Sequence, residues 1–95
     1  NIIASPDGRF RVRALTGIEQ FNEAFNTHYS DEEVDTIGGL VTHHFGRVPH
    51  RGEKVRLDDL IFEILRGDAR QIHMLLVRRD PMAGQRERDA QHVQT

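Results

Sequence analysis

The chain has 95 residues, a mass of 10.9 kDa, no cysteine and a formal net charge of -2. Its length suits one domain, and the missing thiols exclude disulfides and thiolate metal sites. Thirteen basic against 15 acidic residues argue against a nucleic-acid binder, and no run of 18 apolar residues could span a membrane as a helix.

No secretory signal is visible. Mean hydropathy is low, at -0.59, and much of the deficit sits at one end. From Asp80 to Thr95 the sizeable apolar residues are Met82 and Val93 alone. The reading is therefore a folded domain over residues 1–79 and a polar, disordered C-terminal tail over residues 80–95. The chain opens on Asn1 rather than Met, and the expectation is a domain of a longer protein.

Residues 1–14 predict a β-hairpin. Ile2 and Ile3 begin a strand, and Ser5-Pro6-Asp7-Gly8 carries turn chemistry. Arg9-Phe10-Arg11-Val12-Arg13-Ala14 then alternates, with Phe10, Val12 and Ala14 on one side and three arginines on the other. The arginine side is read as a solvated face with acidic partners across the strands, and anion binding is the alternative. Thr16 is predicted to open a helix through a capping box with Glu19. Ile18, Phe21, Ala24 and Phe25 form its apolar stripe, and it ends near Asn26.

A polar connection with four carboxylates follows: Asp31, Glu32, Glu33 and Asp35. Thr36 or Asp35 caps a second helix with the stripe Ile37, Leu40, Val41, His44 and Phe45, closed by Gly46. Gly38-Gly39 in its first turn costs roughly 1 kcal/mol per glycine relative to alanine, so a close backbone or a ligand must offset it. Close packing is the favoured reason. After the loop Gly46–Gly52, three strands are expected, over 53–57, 60–66 and 71–78, the last two as an antiparallel hairpin. In the last strand Ile72, Met74 and Leu76 are placed on one face, with His73, Leu75 and Val77 on the other.

The fold class is therefore α+β: a small antiparallel sheet with two helices packed on one face, in the order β-β-α-α-β-β-β. Chemistry is harder to find. His43 and His44 are adjacent and point about 100° apart on a helix, so they do not share one metal. Ser5 and Ser30 lie in no nucleophile motif, and no phosphate-binding glycine loop occurs. The acidic residues Asp31, Glu32, Glu33 and Asp35 are the candidate metal ligands, since carboxylate oxygens suit hard divalent cations.

Two motifs carry a resemblance. Asp35-Thr36-Ile37-Gly38-Gly39-Leu40-Val41 is followed by Phe45-Gly46-Arg47-Val48-Pro49-x-x-Gly52-Glu53, with Val12-Arg13-Ala14, Ile18-x-x-Phe21-Asn22, Phe62-x-Ile64-Leu65 and Arg70-x-Ile72 around them. Over residues 9–78 the chain resembles the CorC/HlyC transporter-associated domain. That resemblance implies the C-terminal part of magnesium and cobalt efflux proteins, some described as hemolysins. It implies a CBS-pair domain of the same chain as partner, in many members also a membrane transport domain, and a fold similar to FAD-binding domains. It supplies no catalytic residues.

The expected function is a non-catalytic regulatory or interaction domain that modulates ion transport through contacts with CBS or membrane domains. Its expected place is the cytoplasm, at the inner face of the membrane through the parent protein. The alternatives are a divalent-metal sensor using the acidic segment and a flavin or adenine-nucleotide binder. No cofactor is firmly implied. A divalent cation follows from the acidic residues and FAD from fold similarity alone; a homo-oligomer is an open alternative and nucleic acid is not expected as a partner.

Overall fold

Short alternating segments and two amphipathic stripes build seven elements in the expected order. In the computed structural model, which describes residues 2–82, they are β1 (Ile2–Ala4), β2 (Phe10–Arg13), α1 (Ile18–Phe25), α2 (Ile37–Phe45), β3 (Lys54–Leu57), β4 (Leu60–Gly67) and β5 (Ile72–Arg79). The strands form one antiparallel sheet in the order β1-β2-β5-β4-β3. The first hairpin thus joins the last one, and β5 lies at the centre.

Val12, Leu75, Val77, Leu60, Phe62 and Ile64 point to one face and meet Ile18, Phe21, Phe25, Ile37 and Val41 of the helices. Each fully buried side chain of this kind contributes about 1.5–3 kcal/mol. Aromatic rings form the centre: Phe21 stacks on Phe25 at 4.3 Å, and Phe10 meets Phe25 edge-on at 5.0 Å. Phe62 lies 5.7 Å from Phe21. Tyr29 joins the cluster, and its hydroxyl donates to the Leu57 carbonyl at 2.6 Å, tying the interhelical loop to β3.

Several local expectations are corrected. The capping box at Thr16 does not form. Gly17 is the N-cap of α1 without a side-chain bond, and Thr16 is buried. The reason is tertiary: Gly17 and Thr36 form a β-bridge, and Ile18 N–H donates to the Asp35 carbonyl, so backbone from the next segment caps the helix. Ala24 and His44, placed on buried stripes, are exposed. Both helices are short and present too narrow a face to the sheet to cover those positions.

The side-chain phase of β5 also differs. Ile64 pairs with Leu75 and Arg66 with Met74, but Gly67 pairs with Ile72. These shifts let Ile72 join Leu75 and Val77 in the core, whereas Met74 and Leu76 point away. A bulge changes the period of two, which no alternation pattern anticipates. The boundary expected at residue 79 falls just before Asp80. Asp80 is buried, its N–H donates to the Asp59 carbonyl at 2.7 Å, and its carboxylate lies 3.6 Å from Arg56. The rest of the expected disordered tail, from residue 83, lies outside the described residues.

Candidate functional site

The first motif is consumed by packing. A Cβ on Gly38 would lie 2.6 Å from the Ala14 Cβ and 2.9 Å from the Ala14 carbonyl oxygen. The two glycines' propensity cost is therefore offset, at Gly38, by a backbone approach that only glycine permits. Gly38 N–H donates to that Ala14 carbonyl at 2.9 Å, and Ile37 N–H to the Thr16 carbonyl at 2.9 Å. Gly39 N–H donates to the Thr36 hydroxyl at 3.1 Å, and Leu40 N–H to the Thr36 carbonyl at 3.0 Å. The amides of Ile37, Gly38 and Gly39, which the first turn would offer an anion, are all used by the chain itself. This helix end does not fit the phosphates of a flavin dinucleotide.

The second motif is a clamp. Gly46 ends α2 in the left-handed region, at φ 75°. Arg47 then grips Glu53 with two guanidinium bonds, at 2.8 and 2.6 Å, while His50 N–H donates to the same carboxylate. The Arg47 bonds and the His50 amide hold the Glu53 carboxyl down at about 2. Gly52 N–H donates to the Ile64 carbonyl at 2.8 Å, and Ile64 N–H to the Glu53 carbonyl at 2.9 Å. The loop is thereby pinned along β4. At the adjacent β4–β5 turn, the Asp68 carboxylate meets His73 at 2.9 Å and accepts from the amides of Arg70 and Gln71, which lowers it to about 2. These carboxylates hold turns in place.

Asp31, Glu32, Glu33 and Asp35 are all exposed in the loop between the helices. Glu33 approaches His43 Nε2 at 3.2 Å, and Glu32 N–H donates to the Ser30 hydroxyl. Among the described residues no three groups of His, Asp or Glu converge as a metal cage. What organises this loop is Asn22, which lies off the apolar stripe of α1. Its amide donates to the Tyr29 carbonyl at 2.9 Å and accepts from Tyr29 N–H and the Thr27 hydroxyl. An asparagine in the last turn of a helix before a polar loop is the signal that could have found it.

The sheet face away from the helices is the other distinctive surface. Arg11 sits between Ile3 of β1 and Leu76 of β5, and Arg13 opposite Met74. Arg78 and Arg56 flank Ile61 on its two sides. The expected acidic cross-strand partners are thus replaced by apolar ones. Arg9 leaves the stripe and pairs with Asp7 at 2.8 Å in the turn. An open hollow of about 510 Å³ on this face is lined by Arg11, Arg51, Leu65, Arg66, Gly67 and Met74. No helix among the described residues is long and apolar enough to cross a membrane.

A five-stranded antiparallel sheet with two helices on one face, its motifs forming a glycine contact and a loop clamp, defines a small α+β module. The sequence profile of the transporter associated domain, CorC_HlyC, matches residues 3–81, and the chain belongs to that family. It is 51% identical over 79 residues to the magnesium and cobalt efflux protein CorC of Buchnera aphidicola, a match covering 80% of this chain and 27% of that protein. The chain therefore spans about a quarter of that relative's length.

Among solved structures, the CorC transporter-associated region from Neisseria meningitidis superposes with a TM-score of 0.81 at 48% identity, covering 83% of this chain and 98% of that one. The CorC_HlyC domain of a Xylella fastidiosa hemolysin, solved in complex with Mg²⁺ and Mn²⁺, superposes with a TM-score of 0.75 at 28% identity, covering 82% and 95%.

Proposed function

We propose that this chain is a non-catalytic regulatory domain of a magnesium and cobalt efflux protein. It docks on the CBS-pair or membrane transport domain of the same parent and biases their conformational equilibrium, at the cytoplasmic side of the membrane. The observation that carries this reading is the use of the polar motif residues. Thr36 and Glu53 are committed to a cap and a loop clamp, which leaves surfaces for function. The efflux-protein naming of relatives four times as long supports the same reading.

The test is deletion of the domain from the full-length parent, followed by growth in raised Mg²⁺ and Co²⁺ and by cation release from loaded cells. Altered tolerance and release are expected. Unchanged values for both would remove the proposal.

A second reading has one specific support, the Xylella relative solved with Mg²⁺ and Mn²⁺. Under it, Asp31, Glu32, Glu33 and Asp35 bind a divalent cation after the loop rearranges, and the domain senses the transported ion. Titration calorimetry with Mg²⁺, Mn²⁺ and Co²⁺ tests it. Binding heat lost in an Asp31→Asn/Glu33→Gln variant supports the sensor; absence of heat at millimolar cation rejects it.

A further inference from the structure

The helix-free face of the sheet has a composition that solvation alone does not require. Arg11 and Arg13 on β2, Arg66 on β4 and Arg78 on β5 lie on it, with Lys54 and Arg56 on β3. Arg11, Arg13 and Arg66 are exposed, and none of these three nor Arg78 has a carboxylate within 4.0 Å among the described residues. Among the described residues two carboxylates already meet cations of this face, Glu63 at 3.9 Å from Lys54 and Asp80 at 3.6 Å from Arg56. Between the arginines, Ile61, Leu65, Met74 and Leu76 are half-buried with no described element over them. The acidic residues Asp31, Glu32, Glu33 and Asp35 lie in the interhelical loop, so the chain's net charge of -2 hides a charged asymmetry.

We infer that this face docks an acidic protein surface, one that sets carboxylates against the arginines and apolar side chains against Ile61, Leu65, Met74 and Leu76. The inference deepens the regulatory-domain reading and rests on it. Three features select this occupant. The four arginines without a carboxylate among the described residues reach from β2 to β4, two strand spacings or roughly 10 Å, wider than one free phosphate or carboxylate spans. Phe10, Phe21, Phe25 and Phe62 all pack on the core side, so no phenylalanine of the sheet or of α1 offers a stacking platform for single-stranded nucleic acid here. Ile61, Leu65, Met74 and Leu76 lie half-buried between the arginines, Ile3 at the β1 edge is exposed, and Glu63 and Asp80 sit among the cations; a lipid surface favours several protruding apolar groups and no carboxylate. Guanidiniums bind carboxylates in a two-pronged geometry, and burying them against paired acids gives register as well as attraction.

The test uses the isotope-labelled 95-residue chain and a synthetic decapeptide alternating Glu and Val. Amide shifts are expected at Arg11, Arg13, Met74, Leu76 and Arg78. The Arg11→Glu/Arg78→Glu variant should bind at least about tenfold more weakly, with Arg11→Gln/Arg78→Gln in between, and about 0.5 M NaCl should weaken the wild type. Arg70→Glu, in the β4–β5 turn, should bind as wild type. Thermal melting confirms that each variant is folded; the glutamine pair carries the test if the reversal is not.

Shifts confined to the edges β1 or β3, equal binding by both double variants, or tighter binding to phosphatidylserine vesicles than to the peptide would each overturn the inference. In the full-length parent, a domain deletion that alters cation tolerance while the double reversal does not refutes this face and leaves the regulatory reading standing. If neither alters it, both fall.

Discussion

Leu75 and Leu76 are neighbours on β5 and chemically identical. Leu75 is fully buried under the helices, while Leu76 stands half-buried among arginines on the open face. The contrast holds across the sheet. Under the helices the Tyr29 hydroxyl is bonded to the Leu57 carbonyl, while the buried Thr16 hydroxyl has no hydrogen-bond partner among the described residues. On the open face, charge and apolar surface are interleaved, and among the described residues Arg11, Arg13 and Arg78 have no carboxylate partner. A face that only needed solvating could have used threonine and paired charges, which cross-strand neighbours favour. The covered face therefore accounts for stability, and the open face is where stability and function separate.

The largest effect that sharpens this contrast is Leu75→Ala, which should cost about 3 to 4 kcal/mol in urea unfolding, because the cavity lies in a closed core. Leu76→Ala, one residue on, should cost less than about 1 kcal/mol, since only part of its side chain is covered. Equal costs would show that the open face is packed after all. Next comes Gly38→Ala. A helical alanine normally gains about 1 kcal/mol over glycine. Here the new Cβ meets backbone at Ala14, so a net loss of roughly 2 to 3 kcal/mol is expected from thermal melting. A stabilised variant would mean that α2 moves away from Ala14 freely.

Tyr29→Phe should cost about 1 kcal/mol, by losing the bond to the Leu57 carbonyl while keeping the ring. Hydrogen exchange should then rise in the interhelical loop before it rises in β5. The smallest effect is the pH response of the Arg47–Glu53 clamp. The folded carboxyl is held at about 2, below its ordinary value of 4.5. Its stabilisation is complete above the unfolded value and is lost as pH falls through about 2. The difference in melting temperature between wild type and Glu53→Gln should therefore be largest near neutrality and shrink from pH 4.5 toward pH 2. A constant gap would show that the clamp acts through shape rather than charge.

Much of the architecture was legible in the residues. The element order, the antiparallel hairpin, the Thr36 cap and the Gly46 stop all follow from local rules, because each involves contacts within a few residues. The Gly38-Gly39 oddity was legible as a demand for close packing, and Ala14 meets that demand at Gly38. The α1 N-terminus was misread at Thr16, since its partner comes from Asp35, far along the chain. The phase of β5 was misread because the bulge between Arg66 and Gly67 is set by pairing, not by β5 itself. The acidic residues Asp31, Glu32, Glu33 and Asp35 drew attention as a cluster in sequence, yet they do not converge, because proximity along an extended loop does not aim side chains at one point.

The sequence by itself determined that this is one small α+β domain without cysteine chemistry, and its two motifs identified the transporter-associated family. Composition and local periodicity are properties of neighbouring residues, so they survive without a fold. Only the tertiary structure decided that Met74 and Leu76 turn outward, that Arg11 and Arg78 face apolar neighbours instead of acids, and that α2 spends its N-terminal donors on Ala14, Thr16 and Thr36. Strand register decides all of the first and second, and helix docking the third; both are contacts between residues distant in the chain.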